Sequence, residues 1–278
     1  TITKRNMAYK KSFIYAVCPY AFQGKPSFKQ QPYDAWVNVG GKIATPHYPA
    51  KIFHGLAYKC DFPSIGKRKG EARLRFVEPV SLTFDTFPDY LCYEVIPLFW
   101  DCWPGFFNQV AEWMKNHHVR TAFFTSVQVA EKMKKLCPNV HIFHLPEGIE
   151  TNLYKEGKRL SERKFDFLEF GRCCYYVDTN SLPDSVRVLS SGDKHVALTT
   201  RAMLIDALAD SKITICLPRS VNQPEIAQGI ETFTQRYWEC MLSRVVIIGK
   251  APKELIDILG YNPVIDLDKD HFAEQVLD

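Results

Sequence analysis

Two glutamates, Glu231 and Glu239, lie eight positions apart around a segment with the spacing of an amphipathic helix. Their carboxylates can accept hydrogen bonds from hydroxyl groups, which suits the pair to a hydroxyl-rich ligand. The continuous apolar run Val245–Ile248 follows and is typical of a buried strand. The order of these features predicts a helix over residues 232–242 that leads into a short strand.

The predicted helix would begin beside Glu231. Thr232 or Thr234 can cap it, so that its first backbone N–H groups and the positive end of its dipole point beyond the strand ends. Such a helix N-terminus is a binding site for an anion. Glu239 returns to the face of Thr232 roughly 10 Å further along the axis. A ligand with a central diphosphate and a hydroxyl-bearing sugar at each end would span this distance.

The stretch that starts at Glu231 resembles the E-x7-E element of retaining glycosyltransferases that have the GT-B fold and are of the family-four type. In that family the pattern reads roughly EGFGLVYLEAMASGVPVI, and this chain continues into the apolar run VVIIG. The resemblance implies that Glu231 contacts the transferred sugar and that Glu239 holds the ribose of a nucleotide-sugar donor. It also implies that the backbone of Thr232, Phe233 and Thr234 binds the donor phosphates, where the family commonly has Gly-Phe-Gly.

Arginines near this stretch are the other candidates for binding the donor. Gly171 and Arg172 follow a predicted strand and resemble the family's Gly-Arg step, whose arginine binds the diphosphate. An alternative is that Arg172 pairs with an acidic residue on the surface. The family's usual Lys-Gly step is missing, and the nearest lysine is Lys194. Arg236 in the predicted helix, or Arg219 in the loop before it, can replace that lysine.

A further candidate comes from the first half of the chain. Asp101 follows a predicted strand, and its position resembles the family's His-Asp step, which faces the reacting sugar and the acceptor. Trp100 stands where that step has histidine. An alternative is that Asp101 caps the helix that follows. Trp100 and Trp103 could stack on sugar rings, although packing in a core is the commoner role of tryptophan.

Two aspartates near the end of the chain imitate a metal-binding motif. Asp266-Leu-Asp268 has the spacing of the DxD site of the other glycosyltransferase fold, GT-A, in which a metal ion bridges the donor diphosphate. The motif ends the last predicted strand, so we favour a solvated strand end. We therefore predict no metal and no cofactor, with the nucleotide sugar acting as a substrate.

Strands and helices alternate along both halves of the sequence, a pattern typical of parallel α/β domains. In the first half we predict strands over residues 13–17, 73–77, 95–100, 121–125 and 140–145, with helices over 105–117 and 126–136. In the second half we predict strands over 165–170, 213–217, 245–248 and 264–267, with further helices over 201–210 and 253–259. Pro146 and Gly148 mark a boundary between the halves.

The alternation predicts two Rossmann-like domains, an acceptor domain over residues 1–148 and a donor domain over residues 149–278. The sequence HLPEGIETNLY at their junction resembles the family's IPNGVDTELF, which leads from one domain into the next. The resemblance implies the GT-B arrangement, in which two domains face a cleft that binds the donor. Residues 269–276 are similar to the first turns of a helix that crosses back onto the first domain in that family, so we expect a truncated or unusually compact chain.

Composition limits the classes of protein to consider. The 278 residues are 46% hydrophobic and 24% charged, and no stretch has the length of a membrane span or the pattern of a signal peptide. Nine cysteines without a CxxC pair favour reduced thiols in a cytoplasmic protein. A net charge of +4 argues against nucleic acid as a partner. A cluster of basic residues comprises Lys67, Arg68, Lys69, Arg73 and Arg75. This basic cluster could contact a membrane surface or an anionic acceptor, although a solvated loop is the commoner explanation of such a cluster.

These observations predict a glycosyltransferase that moves a sugar from a nucleoside diphosphate donor to a hydroxyl group of a glycan or lipid-linked acceptor. The resemblance implies retention of configuration at the transferred carbon. An alternative is a catalytically silent relative that only binds a nucleotide or a glycan, since Trp100, Thr232-Phe233-Thr234 and the missing Lys-Gly step depart from the family's pattern. We expect a cytoplasmic protein that can associate with a membrane surface.

Overall fold

The computed structural model describes residues 14–17, 30–44, 62–66, 70–192, 198 and 200–278. The chain divides into two compact units, Thr1–Pro146 and Glu147–Asp278, and each contains a parallel β-sheet with helices packed on it. This α/β architecture is compatible with two Rossmann-like domains. Residues 67–69 and Lys194, which enter the hypotheses above, lie outside the described residues. None of the helices in the described ranges combines the length and the hydrophobicity that a membrane span requires.

Six described strands form the sheet of the first unit: β1 (Ile14–Val17), β2 (Lys42–Ala44), β3 (Ala72–Val77), β4 (Glu94–Phe99), β5 (Thr121–Phe124) and β6 (His141–His144). They lie in the order β2-β1-β3-β4-β5-β6, and every neighbouring pair is parallel. The described helices are α1 (Gln31–Asn38), α2 (Leu82–Thr86), α3 (Asp89–Cys92), α4 (Phe107–Asn116) and α5 (Val127–Leu136). The five predicted strands are confirmed to within one residue at each end, and β2 is an addition.

Helix α4 illustrates how the apolar pattern fixes a helix on this sheet. Its buried residues are Val110, Trp113 and Met114, which recur at the spacing of one helix face. The Trp113 ring lies 6.4 Å from the ring of Phe99 on β4. The other residues of α4 are largely polar, so only this stripe faces the core. The predicted helix is therefore confirmed, although it begins two residues later than expected.

Arg73 and Arg75 on β3 are buried, so they do not belong to a basic surface cluster. Arg75 Nη2 lies 2.6 Å from Asp89 Oδ2, and the arginine side chain is 2% exposed. The Arg73 guanidinium lies 3.6 Å from the centre of the Tyr93 ring. The expectation that these two arginines contact a membrane is wrong, because β3 is an inner strand whose side chains are enclosed on both faces.

Five described strands form the sheet of the second unit: β7 (Phe165–Glu169), β8 (Val188–Ser190), β9 (Ser211–Cys216), β10 (Val246–Gly249) and β11 (Ile265–Asp266). They lie in the order β11-β10-β9-β7-β8, again with every neighbouring pair parallel. The described helices are α6 (Arg201–Ala209), α7 (Arg219–Asn222), α8 (Pro224–Ala227), α9 (Gln235–Leu242), α10 (Lys253–Leu259) and α11 (Phe272–Leu277). The predicted strands are present, and β8 is an addition.

The second sheet has a hydrophobic core on each of its two faces. Neighbouring residues of a strand point to opposite faces, so adjacent residues of β7 enter different cores. Leu168 on β7 belongs to a core that includes Leu208 from α6 and Tyr237 from α9. Phe167 belongs to the core on the other face, where its ring lies 5.2 Å from that of Phe272 on α11. The segment expected to begin a helix toward the first domain thus places Phe272 in the core of the second unit.

Gly249 ends β10 at a place where no side chain fits. Its φ is +151°, and a Cβ atom added there would overlap the backbone carbonyl of Cys216 on the neighbouring strand β9. Glycine therefore permits the close approach of the two strands and sets the direction in which the chain continues into Lys250.

Replacing Gly249 with alanine tests this constraint. We expect Gly249→Ala to lower the free energy of unfolding of the second unit by roughly 2–6 kcal/mol, through backbone strain and steric overlap. Gly148→Ala is the matched control, because its added Cβ atom would meet nothing within 4 Å. The control should change the free energy of unfolding by less than about 0.5 kcal/mol. Urea denaturation measures both variants, and equal midpoints would contradict the constraint.

Candidate functional site

The carboxyl ends of the five strands of the second sheet lie on one edge, because every neighbouring pair is parallel. The strand order reverses between β7 and β9: the chain passes from β7 to β8 on one side and then returns past β7 to β9. Ligands of open α/β sheets bind in the crevice at such a switch point. The loops that follow β7 and β9 therefore form the candidate functional site.

A hydrogen bond joins these two loops. After β7 the chain makes a 3-10 turn over Gly171–Cys173, and after β9 it enters α7, which begins at Arg219. The Asn222 side chain on α7 donates to the carbonyl oxygen of Arg172 over 3.4 Å. Arg172 and Arg219, both predicted to bind phosphate, thus belong to the two loops that border the switch point.

Arg236 on α9 completes the cationic part of this site. Its guanidinium lies 4.9 Å from the centre of the Phe170 ring and donates through Nη1 to Cys173 Sγ over 3.5 Å. Gly171, with φ of +63°, leaves space for it, since a Cβ atom added there would collide with Arg236 Nη2. Glycine is therefore required both by the backbone conformation and by the position of the guanidinium.

The Glu239 carboxylate on the same helix interacts with the charge of Arg236, but no carboxylate in the part of the chain that the structure describes forms a salt bridge or a hydrogen bond with it. The neighbouring thiols do not supply a negative charge either. Burial raises the pKa of Cys173 and of Cys240, so both remain protonated at neutral pH. Burial of the guanidinium opposes its charge, and an anion bound beside Gly171 would add the direct charge-assisted hydrogen bond that Glu239 does not make.

Helix α9 begins at Gln235, three residues later than predicted. Thr234 precedes it in an extended conformation, and its hydroxyl makes no capping hydrogen bond. The Gln235 N–H donates instead to the Glu147 carboxylate over 3.3 Å. Thr234 therefore occupies one of the two predicted N-cap positions, but the predicted capping by a threonine hydroxyl is wrong, because the buried Phe233 side chain holds this segment against the core. The first turn of α9 consequently meets a carboxylate, which disfavours a phosphate there.

Glu239 lies in the second turn of α9 and belongs to a hydrogen-bonded chain of three side chains. Tyr154 donates to Glu239 Oε1 over 2.7 Å, and Arg201 Nη2 donates to the Tyr154 hydroxyl over 2.6 Å. Burial and the Glu239 carboxylate raise the pKa of Tyr154, so its hydroxyl remains a donor at neutral pH. Glu239 Oε2 accepts no hydrogen bond from any described residue, which leaves it available to a ligand.

Glu231 lies in the extended segment before α9 and forms an ion pair with Lys250. Lys250 Nζ and Glu231 Oε1 are 2.7 Å apart, and the two side chains are 50% and 22% exposed. The sequence-based prediction missed Lys250, although its position directly after Gly249 at the end of β10 could have indicated it. The pair brings a carboxylate and an ammonium group to the same edge of the sheet.

Asp101 belongs to the first unit and lies in an exposed turn after β4, whereas Glu231 belongs to the second unit. The φ of Asp101 is +49°, and α4 begins only at Phe107, so the alternative that Asp101 caps that helix is wrong. Trp103 is buried in the core, which removes it as a residue for stacking on sugars. The half-buried Trp100 remains a candidate for that role.

The aspartates of the DxD-like sequence make local contacts. Asp268 Oδ1 accepts hydrogen bonds from the N–H groups of Asp270 and His271, and its Oδ2 lies 2.8 Å from His271 Nδ1. Asp268 therefore stabilises the turn that precedes α11. Across the described ranges, no group of three or more His, Cys, Asp and Glu side chains is arranged to hold a metal ion.

Alanine at position 171 should weaken the binding of an anion, because its Cβ atom would displace the Arg236 guanidinium. We expect Gly171→Ala to lower the affinity for inorganic pyrophosphate about tenfold, as for the loss of one charge-assisted hydrogen bond. Isothermal titration calorimetry of the parent protein and of Gly171→Ala measures the change in pyrophosphate affinity.

Gly229→Ala is the matched control for backbone strain. Its φ is +82°, so alanine is strained there too, but the added Cβ atom would meet nothing within 4 Å. We expect a similar loss of stability, about 1–3 kcal/mol, with the pyrophosphate affinity kept within about twofold. If both variants bind pyrophosphate equally well, Arg236 does not depend on the space at Gly171.

Comparison with known proteins does not assign the chain to a family. No protein-family model matches it. A search of curated proteins found no significant match. The function is therefore argued from the residues at the carboxyl edge of the second sheet.

Proposed function

We propose that the chain is a GT-B glycosyltransferase that moves a sugar from a nucleoside diphosphate donor to a hydroxyl group of a glycan or lipid-linked acceptor. One observation carries the proposal: beside the switch point, Arg236 lies between Glu231 and Glu239 in sequence and forms no salt bridge with a carboxylate among the described residues. Carboxylates suit sugar hydroxyl groups, and a guanidinium suits a diphosphate. A nucleotide sugar carries these groups in the same order.

The diphosphate of the donor would bind beside Gly171, within reach of the Arg236 guanidinium. Arg172 and Arg219, in the two loops at the switch point, are the further cations of this subsite. Negative charge develops on the diphosphate as its bond to the sugar breaks, so these groups would stabilise the transition state more than the ground state. The first turn of α9 is a poorer place for the diphosphate, since the Glu147 carboxylate already accepts its first N–H.

Glu231 would contact hydroxyl groups of the transferred sugar. Lys250 holds its carboxylate at the end of β10 through the 2.7 Å ion pair. Contacts close to the breaking bond strengthen as charge develops on the sugar, so Glu231 would contribute to the chemical step. We assign removal of the acceptor proton to an oxygen of the departing diphosphate. Asp101 is kept as a residue facing the reacting sugar on the strength of the family resemblance alone.

Glu239 would accept hydrogen bonds from the hydroxyl groups of the ribose. Tyr154 holds its Oε1, while Oε2 accepts from no residue in the described part of the chain. The ribose is remote from the breaking bond, so its contacts change little during the reaction. Glu239 would therefore contribute to donor affinity more than to the chemical step.

The remaining parts of the proposal come from the sequence. We propose metal-independent chemistry, in which arginine side chains offset the charge of the diphosphate. We also propose a cytoplasmic protein without nucleic-acid partners. For contact with a membrane or an anionic acceptor we keep only residues 67–69 of the basic cluster, because Arg73 and Arg75 are buried.

A second candidate function is the binding of a nucleotide or glycan without turnover. The Glu231–Lys250 ion pair favours it, because a carboxylate already paired at 2.7 Å is less available to a sugar. The two candidates share the diphosphate and ribose contacts. They differ in whether bound donor is consumed, so an assay for release of the nucleoside diphosphate separates them.

Substitution of each glutamate separates the proposed roles. Glu231→Gln should lower kcat about 100-fold and change the donor Kd by less than about threefold, because its contact lies near the breaking bond. Glu239→Gln should weaken donor binding by roughly 5- to 150-fold with little change in kcat, through the loss of a charged acceptor. Nucleotide release and calorimetry with UDP-, GDP- and ADP-sugars provide both quantities.

Glu274→Gln on α11 is the matched control, since Glu274 is exposed and lies outside the candidate site. It should change neither the rate nor the affinity. Donor binding without turnover in the parent protein would favour the second candidate function. Small and equal effects at Glu231 and Glu239 would contradict the assignment of the donor site.

A further inference from the structure

Tyr175 is an exposed aromatic residue in a conformation that tyrosine rarely adopts. Its φ is +63°, and the residue is 75% exposed. A bulky residue is strained in this left-handed region, and an exposed ring adds little to the core. Glycine or asparagine would suit the backbone better. Neither the backbone conformation nor burial of the ring therefore accounts for a tyrosine at this position.

A buried carboxylate enforces the conformation of Tyr175. Glu169, at the end of β7, is 1% exposed, and its Oε2 accepts from the Tyr175 N–H over 3.1 Å. Its Oε1 accepts from the Ser190 hydroxyl over 2.6 Å, which ties the loop to the end of β8. The Tyr175 hydroxyl donates to the Gly192 carbonyl over 2.7 Å. The residue is thus fixed at its backbone and at its hydroxyl, while most of the ring stays open.

The loop that carries Tyr175 adjoins the arginine site. The Gly171 N–H donates to Ser191 Oγ over 3.1 Å, so the start of this loop meets the end of β8 beside Arg236. A Cβ atom added at Gly192 would lie 2.6 Å from the Tyr175 hydroxyl, so glycine leaves room for the ring. The guanidinium is therefore connected to the exposed tyrosine through Gly171, Ser191 and Gly192.

The strand order arranges three kinds of group along the edge of the sheet. The Glu231–Lys250 pair lies at the end of β10, the arginines border the ends of β9 and β7, and Tyr175 follows β7 on the side of β8. From β10 to β8 there are three strand spacings, or about 14 Å. This is comparable with the extended span from the sugar to the base of a nucleotide sugar.

We propose that Tyr175 is the stacking platform for the nucleobase of the donor, an inference that rests on the proposed function. Every nucleobase presents a flat aromatic face, which an exposed tyrosine ring can cover. A ring that is already fixed loses little conformational entropy when the base binds. Functional use of the ring also accounts for backbone strain that the loop would otherwise avoid.

Nucleoside diphosphates and inorganic pyrophosphate separate the base subsite from the diphosphate subsite. For whichever of UDP, GDP and ADP binds the parent protein most tightly, Tyr175→Ala should weaken binding about tenfold. The same variant should keep its pyrophosphate affinity within about twofold, because pyrophosphate has no base. Tyr175→Phe retains the ring and should bind the nucleotide within about threefold of the parent. Calorimetry measures all three affinities.

Tyr175→Gly separates binding from folding. It removes the strain at φ of +63°, so its melting temperature should equal or exceed that of the parent while its nucleotide affinity falls as in Tyr175→Ala. Equal weakening of pyrophosphate and nucleotide would overturn the proposal, because Tyr175 would then act through the arginine site. Unchanged nucleotide affinity in Tyr175→Ala would overturn this proposal alone. A parent protein that binds no nucleoside diphosphate would overturn the proposed function as well.

Discussion

The Arg236 guanidinium lies against Gly171 and the ring of Phe170, and its hydrogen-bond acceptor is the thiol of Cys173. Burial opposes the charge of this guanidinium, and the Glu239 carboxylate on the same helix favours it without forming a salt bridge. Nearby carboxylates are held by other donors: Glu147 by the Gln235 N–H, Glu231 by Lys250 and Glu239 by Tyr154. Arg236 thus forms no salt bridge among the described residues, and its charge, with Arg172 and Arg219 as further cations, is the basis of the functional proposal.

Helix α9 connects this charge to the core of the second unit. Tyr237 and Cys240 on one face are fully buried, whereas Arg236 and Glu239 reach the polar groups described above. The Tyr237 hydroxyl donates to the Lys250 carbonyl over 2.7 Å, so a core residue also holds the lysine that pairs with Glu231. Packing on the apolar face of α9 therefore positions the functional groups on its polar side.

The strands were predictable because a parallel sheet buried on both faces produces continuous apolar runs such as Val245–Ile248. The edge strands β2 and β8 were missed, since three residues are too few to establish a period. The buried arginines of β3 were misassigned for a related reason. A charged residue within a strand looks exposed until its partner, here Asp89 for Arg75, is known.

The candidate site was predicted in part. Spacing along one helix indicated Glu239, and the missing Lys-Gly step of the family directed attention to Arg236, but the first N–H of α9 is bound by Glu147, which is 88 residues away in sequence. Tyr154 reaches Glu239 across 85 residues. Contacts of this kind depend on tertiary packing, so no local pattern reports them. The strain at Tyr175 is also invisible in sequence, because it follows from a hydrogen bond to Glu169.

The most direct measurement is a crystal structure of the protein with the nucleoside diphosphate that binds it most tightly. The account predicts that a diphosphate oxygen lies beside Gly171, about 3 Å from a guanidinium nitrogen of Arg236. A diphosphate bound at the first turn of α9 in place of the Glu147 carboxylate would contradict it. So would a diphosphate bound away from the switch point between β7 and β9.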